Sequence, residues 1–468
     1  MQRTYIKDLH NYIGKEVTIA GWVHVRRDHG KLVFIDLRDA SGIVQMVALP
    51  NHEEAHAVAG TVRSEWVVEV KGIVNARPEK MVNTDEQNGD IEIEMTGLSV
   101  LNESETPPFD ITEDTSGIDE EVRLKYRYLD LRSERLQKNI RVRDKVMTFF
   151  RDYMHKNDFV EIETPMLMKG TPEGSREYVV PSRLEKGKCY ALPQSPQQYK
   201  QLAMVAGFEK YFQMARCMRD EDLRGDRQPE FTQLDYEMSF VSQEDILQYT
   251  EAMFIELVET LFPEKHFTEK PFPRITYKEA MEKYGSDKPD LRKDKNDSNE
   301  LAFLWIVDFP MFEINEEGKL AAAHHPFCSV KDEDEERFMA AKSGADILDV
   351  RANAYDLVLN GYELSSGSIR IHKKEMQEKV FDLLGISKEE QEARFGHMLE
   401  AFKYGTPPHG GFAPGIDRVV MLLMGEPNIR EVIAFPKTRE AKEPMTGSPT
   451  QVNQETLDEL GITIKKEK

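Results

Sequence analysis

Cysteine is scarce: Cys189, Cys217 and Cys328 are the only three in 468 residues, and no CxxC occurs. That spacing excludes a zinc ribbon and a disulfide framework and fits a reducing compartment. Long apolar runs are missing too. The run Val419-Val420-Met421-Leu422-Leu423-Met424 ends far short of the ~18–20 residues that cross a bilayer. The start, Met1-Gln2-Arg3-Thr4-Tyr5-Ile6-Lys7, has no apolar stretch of the export type, so a cytoplasmic location is expected. No GxxxxGKS/T or GxGxxG loop occurs, and any nucleotide must be held without those glycine cradles. Positive charge is in deficit as well. With 62 Lys plus Arg against 84 Asp plus Glu, the formal charge of −22 on its face disfavours a polyanionic partner.

What is present describes an ordinary globular chain, 40% hydrophobic and 31% charged, long enough for two to four domains at ~100–200 residues each. Residues 17–23, 32–36, 43–49, 66–74 and 91–100 read as strands, with a short helix over 52–59. Five strands with a helix after the third match the order of an OB-fold over 1–101; another small barrel is the alternative. Residues 102–121 carry eight acids and no base, an acidic linker containing Pro107-Pro108. Residues 122–145 then carry nine Lys or Arg against three acids, a local +6. Charge is thus segregated, and an acidic total is compatible with RNA binding through local patches. Apolar spacing from Ile140 through Met147, Phe150 and Met154 predicts a helix here, and most of these bases, taken singly, read as its solvated face. Residues 122–468 mix helix and strand patterns without βαβ alternation, which predicts α+β. The polar run 293–300 reads as a short exposed connection.

Paired arginines stand where glycine loops do not. Arg219 opens Arg219-Asp220-Glu221-Asp222, followed through Arg224 and Arg227 by Gln228-Pro229-Glu230-Phe231-Thr232-Gln233-Leu234-Asp235, and Arg418 ends Gly415-Ile416-Asp417-Arg418. Arginine suits phosphate because its planar fork donates two parallel hydrogen bonds. On composition alone, a surface salt-bridge network is the better reading.

Taken together, these segments resemble the bacterial-type aspartyl-tRNA synthetases, which are class II aminoacyl-tRNA synthetases, from Gly21-Trp22-Val23 to Ala434-Phe435-Pro436-Lys437-Thr438. Motif 1 is similar to Phe159-Val160-Glu161-Ile162-Glu163-Thr164-Pro165, usually part of a homodimer interface; motif 2 to the segment from Arg219 to Glu237; and motif 3 ends at Arg418. The resemblance implies an N-terminal OB-fold anticodon-binding barrel and an α+β catalytic domain with an antiparallel sheet flanked by helices. It implies aspartate–tRNA ligase activity. Aspartate and ATP form aspartyl-adenylate, and the aspartyl group passes to tRNA-Asp, with tRNA-Asn as a further acceptor. By similarity Arg219 contacts the α-phosphate and Arg418 the γ-phosphate, Phe231 stacks on adenine, and Glu221 and Gln228 help hold the nucleotide. Asp356 and Glu363 match Mg²⁺ carboxylates. Arg370 is expected to clamp the aspartate side chain bidentately, with Lys200 adding charge and Asp235 orienting the cluster. Glu173 and Gln197 match positions near the α-amino group, and Gly170 and Gly174 bracket a loop over it. His324-His325 matches positions beside the substrates, with a plain structural role equally open. In the barrel, Phe34 and Gln45 match anticodon-stacking and base-reading positions, and Arg27 and Glu92 other anticodon contacts. On the sequence alone, apart from the resemblance, a buried core role is the preferred reading for Phe34. His29 accompanies relaxed tRNA specificity in this family and Lys80 strict specificity, so the two clues oppose each other.

The chain also departs from the pattern. No large domain separates motifs 2 and 3, Phe412 and Pro414 stand in motif 3, and Ser365-Ser366 precedes Gly367 where glycines are usual. An asparaginyl-tRNA synthetase is disfavoured by Lys200 and Arg370, and a catalytically silent tRNA-binding paralogue by the retained arginines and carboxylates.

Overall fold

Burial alternates along the first strands, and the alternation closes a barrel. In the computed structural model, which describes residues 3–170, 175–315 and 318–465, β1 (Glu16–Asp28), β2 (Val33–Asp39), β3 (Gly42–Ala48), β4 (Val67–Ala76) and β5 (Ile91–Asn102) close in the order β1-β2-β3-β5-β4, with α1 (Glu53–Ala59) after the third strand. This is the expected OB-fold. On β2, Val33, Ile35 and Leu37 are buried, each worth roughly 1.5–3 kcal/mol. Phe34, Asp36 and Arg38 point the other way and are half-exposed. The core role considered for Phe34 is therefore overturned by strand parity. β1 runs on to Asp28, beyond its expected end, because pairing with β2 resumes after a bulge at Val23/Val25 and continues to Asp28↔Val33.

The compact unit containing the barrel spans Met1–Glu134. Its acidic stretch is packed: Trp66 Nε1 donates to the Ser104 carbonyl at 3.1 Å, and the buried Thr115 hydroxyl donates to Asp130 at 2.6 Å. The basic stretch after it corrects the solvated reading for five residues. Arg123 and Arg127 are buried on Asp130 at 3.2 and 2.6 Å. Arg132 reaches Glu65 at 2.7 Å, Arg135 reaches Glu426 and Glu431 at 2.7 and 2.9 Å, and Arg143 reaches Asp417 at 2.5 Å. Burial of an arginine is tolerable only with such a partner. Several of these partners lie hundreds of residues away.

The second unit, Arg135–Lys468, is built on β6 (Val160–Glu161), β7 (Lys210–Met218), β8 (Glu230–Ser239), β9 (Arg274–Thr276), β10 (Phe303–Val307), β11 (Ala354–Leu359), β12 (Tyr362–Ile369) and β13 (His409–Phe412). They form one sheet in the order β9-β10-β11-β12-β13-β8-β7-β6. The expectation of an antiparallel sheet holds for its interior; β9–β10 and β6–β7 at its two edges are parallel. One face packs on helices Glu134–Lys156, Gln243–Leu261 and Ile416–Met424, burying Phe150, Phe254 and Val420 against Tyr236, Tyr355 and Phe412. The opposite face carries the polar residues described next. Glu300, at the end of the run expected to be an exposed connection, is buried and accepts the Lys293 and Asp294 amides at 2.9 and 2.8 Å, folding that connection back on itself.

Candidate active site

Strand parity assembles the site. On β8, Leu234, Tyr236 and Met238 enter the helix-packed core, so Phe231, Gln233, Asp235 and Glu237 share the other face. Helix Gln197–Val205 brings Lys200 to it. Lys200 Nζ lies 3.0 Å from Asp235 and 3.3 Å from Glu237, all three side chains nearly dry. Arg370, directly after β12, donates from Nε to Glu237 Oε1 at 2.9 Å and from Nη2 to Oε2 at 3.3 Å. Its Nη1 meets Ser368 Oγ at 2.8 Å and His325 Nε2 at 2.6 Å. Burial alone would raise Glu237, yet Arg370 and Lys200 hold it below its ordinary value of 4.5. Burial pushes Asp235 up despite Lys200. Burial, then the Arg370 charge, hold His325 well below 6.5, so its ring is neutral.

This cluster brings together Lys200, Asp235 and Arg370 and adds Glu237 as their hub. The sequence reading missed Glu237, although it stands two residues beyond Asp235 in a strand and therefore on the same face. The clamp is also corrected. Glu237 already occupies the Nε–Nη2 edge of Arg370 and Nη1 is engaged by Ser368 and His325, so a substrate carboxylate would have to displace one of these partners. Of the two histidines, His325 touches Arg370, while His324 stands edge-on to Phe309 at 4.3 Å. Gln197 Nε2 donates to Gln201 at 3.1 Å, one turn before Lys200. Glu173 and Gly174 lie outside the described residues.

A second group lies around β8 and helix Ile416–Met424. The Arg219 guanidinium covers the Phe231 ring at 5.1 Å, and Arg219 Nε donates to the Gln194 carbonyl at 3.3 Å. Glu221 accepts from Ser175 Oγ at 2.5 Å and Arg227 at 3.1 Å. Gln228 uses both ends of its amide on one distant peptide: Nε2 donates to the Lys437 carbonyl at 2.9 Å, and Oε1 accepts the Lys437 N–H at 2.8 Å. Arg418 donates to the Glu363 carbonyl and, at 3.1 Å, to Asp226.

Asp356 and Glu363 come from adjacent strands, β11 and β12. Asp356 is buried with Oδ1 lacking any hydrogen-bond partner, and burial followed by the Glu363 and Asp287 charges pushes its carboxyl well above 3.8. Asp356 thus stands buried and unpartnered near a second carboxylate. Among the described residues, no three His, Cys, Asp or Glu side chains converge as a complete metal site.

The departures from the pattern have local consequences. Leu234 N–H donates to the Pro414 carbonyl at 3.0 Å, so the reciprocal ladder bond is the one that proline cannot give. The Ser365 hydroxyl accepts the Ala413 N–H at 3.1 Å and donates to the Ser366 carbonyl at 3.3 Å, inserting itself between β12 and the end of β13. Phe412 is core, packed on Tyr236 and Tyr355.

On the barrel, Arg27, Phe34 and Gln45 share the outer face of β1, β2 and β3: Arg27 pairs across from Phe34, and Asp36 across from Gln45. Arg27 donates to Asp36 at 2.8 and 2.9 Å and to Gln45 at 3.3 Å. His29, exposed at the β1–β2 turn, stands edge-on to Phe34 at 5.7 Å. Glu92 on β5 lies 4.0 Å from Arg77, and Lys80 is exposed in the single turn Glu79–Met81.

The family model for class II tRNA synthetases (D, K and N) matches residues 119–439, and that for the OB-fold nucleic acid binding domain matches residues 17–101. The aspartate–tRNA(Asp/Asn) ligase of Rubrobacter xylanophilus is 44% identical, covering 97% of this chain and 95% of its own length. That match runs over 576 residues against 468 here, so the relative carries segments without a counterpart in this chain. The aspartate–tRNA ligase of Staphylococcus haemolyticus is 41% identical, with 97% of each chain covered. Among solved structures, the asparaginyl-tRNA synthetase of Entamoeba histolytica in complex with asparaginyl-adenylate superposes with a TM-score of 0.73 at 26% identity, covering 92% of this chain and 97% of that one. No helix among the described residues is long and apolar enough to cross a membrane. The barrel, the eight-stranded sheet and these matches agree: the chain belongs to the class II aminoacyl-tRNA synthetases and, within them, to the aspartate–tRNA ligase family.

Proposed function

We propose that the chain condenses L-aspartate with ATP to aspartyl-adenylate, releasing pyrophosphate, and transfers the aspartyl group to the terminal ribose of tRNA-Asp. The observation that carries this reading is the dry Lys200–Glu237–Arg370 cluster, in which Arg370 Nη1 is held by the neutral partners Ser368 and His325 rather than by a carboxylate. A side-chain carboxylate fits there. From that cation a carboxylate gains charge-assisted hydrogen bonds, which the neutral amide of asparagine accepts only in weaker form. Activation needs no protein nucleophile, because the α-carboxylate of aspartate attacks the α-phosphate and pyrophosphate leaves. Arg219 takes up charge developing on the α-phosphate, Arg418 holds the γ-phosphate, and Phe231 offers adenine a stacking surface. Gln228 acts by holding the Lys437 peptide, and Glu221 by joining Ser175 to Arg227. The unpartnered Asp356 oxygen, with Glu363, fits Mg²⁺, which when bound would offset phosphate charge. Aspartate-dependent exchange of pyrophosphate into ATP tests the reading: it is expected in the native protein and lost in Arg370→Ala. Exchange driven equally by asparagine overturns it.

Three finer readings follow. Arg27, Phe34, Gln45 and Glu92 contact the anticodon, with Phe34 as the stacking platform. The exposed His29 beside that platform supports charging of tRNA-Asn as well; a negligible rate on purified tRNA-Asn removes this. The sheet ends at β6, where Val160 and the following Met166 and Leu167 are exposed, an edge suited to a second copy in a cytoplasmic homodimer. Sedimentation of native protein as a monomer at micromolar concentration would refute that.

A further inference from the structure

Arg418 is expected to hold a phosphate, yet in the substrate-free protein its fork is already taken. Nη2 donates to Asp226 Oδ2 at 3.1 Å, with the Asp226 carbonyl at 3.5 Å, and Nη1 donates to the Glu363 carbonyl. The Arg418 and Asp226 side chains are 21% and 27% exposed, so solvent screens the pair only in part. Asp226 does not swing freely into this place. The preceding carbonyl, Gly225, accepts the Ile429 N–H at 3.0 Å, and the following Arg227 is held by Glu221 at 3.1 Å. The loop between β7 and β8 is thereby docked on the segment after helix Ile416–Met424, carboxylate toward the arginine. The fit is incomplete, because Arg418 Nε is buried with no partner at all. A carboxylate engages Nη2 and leaves that donor unmatched, whereas the three terminal oxygens of a phosphate offer more acceptors to the same fork.

We propose that Asp226 is a stand-in anion for the γ-phosphate: it neutralises Arg418 until ATP arrives, and ATP binding exchanges the carboxylate for phosphate. This rests on the reading of Arg418 as a γ-phosphate ligand. Asp226 is then a specificity-determining residue. Only a ligand with a terminal phosphate in reach of Arg418 is rewarded for displacing it, and every such ligand binds more weakly than the bare fork would allow.

The sign of the effect separates this role from a structural one. Equilibrium binding of Mg-ATP and of AMP to the full-length protein is compared for native protein, Asp226→Asn and Arg418→Ala. Asp226→Asn is expected to tighten ATP by roughly two- to tenfold and to leave AMP, which has no γ-phosphate, unchanged. Unchanged or weaker ATP binding, or parallel tightening of AMP, overturns the exchange. Asp226→Ser provides the same comparison if the asparagine variant folds poorly. Arg418→Ala is expected to erase the preference for ATP over AMP. If it does so while Asp226→Asn changes nothing, the exchange alone fails; if the preference survives, the γ-phosphate reading fails and the exchange with it.

Discussion

On the barrel, Arg27, Phe34 and Gln45 stand half-exposed on an outer face, where Arg27 reaches Asp36 and Gln45 and Phe34 meets the ring of His29. On the catalytic sheet, Lys200, Asp235, Glu237 and Arg370 are 0–2% exposed and are one another's partners. The barrel face can be rewritten with little cost to folding, because its aliphatic core lies on the other side of the same strands. The sheet cluster allows no such separation: every member neutralises another in a dry place, so the substrate selection proposed for it and its stability rest on the same atoms.

The largest expected effect tests the second half of that contrast. Glu237→Gln leaves Arg370 and Lys200 short of a buried anion, and chemical denaturation should register a loss on the order of 3–5 kcal/mol together with loss of aspartate-dependent exchange. Its pH signature has a definite sign. Because Glu237 is held below 4.5 when folded, its stabilisation is present above that value and is lost as pH falls through the lower folded value. The acid limb of melting temperature against pH should therefore flatten in the variant; an unaltered limb would break the assignment of Glu237 as hub. Next, Ile35→Ala should cost roughly 2–5 kcal/mol, while its neighbour Phe34→Ala should stay within about 0.5 kcal/mol. Equal losses in the two would dissolve the distinction between barrel faces. Phe34→Ala should nonetheless slow charging of tRNA by roughly 5- to 150-fold, the worth of one ~1–3 kcal/mol stack, with pyrophosphate exchange untouched. The smallest effect sharpens the picture: Ser365→Ala should cost at most about 1 kcal/mol by denaturation, since Ala413 N–H can close on the Ser366 carbonyl directly.

How much of this was legible in sequence depends on distance along the chain. The barrel strands follow from a two-residue period, and a period is a local property. The same period, applied from Val33 and from Asp235, turns Phe34 outward and places Glu237, although the core role preferred for Phe34 and the omission of Glu237 show that it was not carried through. The resemblance located Lys200, Asp235 and Arg370. It did not reveal that Glu237 fills one edge of Arg370, because that depends on which strands are neighbours. The basic run shows the same limit. Arg143 finds Asp417 across 274 positions, a partner that no window around residue 143 contains, so five arginines read as solvated turned out to be paired.

Gln228 and Lys437 stand 209 positions apart, and both hydrogen bonds of the Gln228 amide wait for that one peptide. During synthesis at ~5–20 residues per second, Gln228 is therefore made roughly ten to forty seconds before its partner Lys437. The surroundings of Gln228 are thus completed late, and a product terminated before Lys437 would keep its whole barrel while lacking the peptide that Gln228 holds.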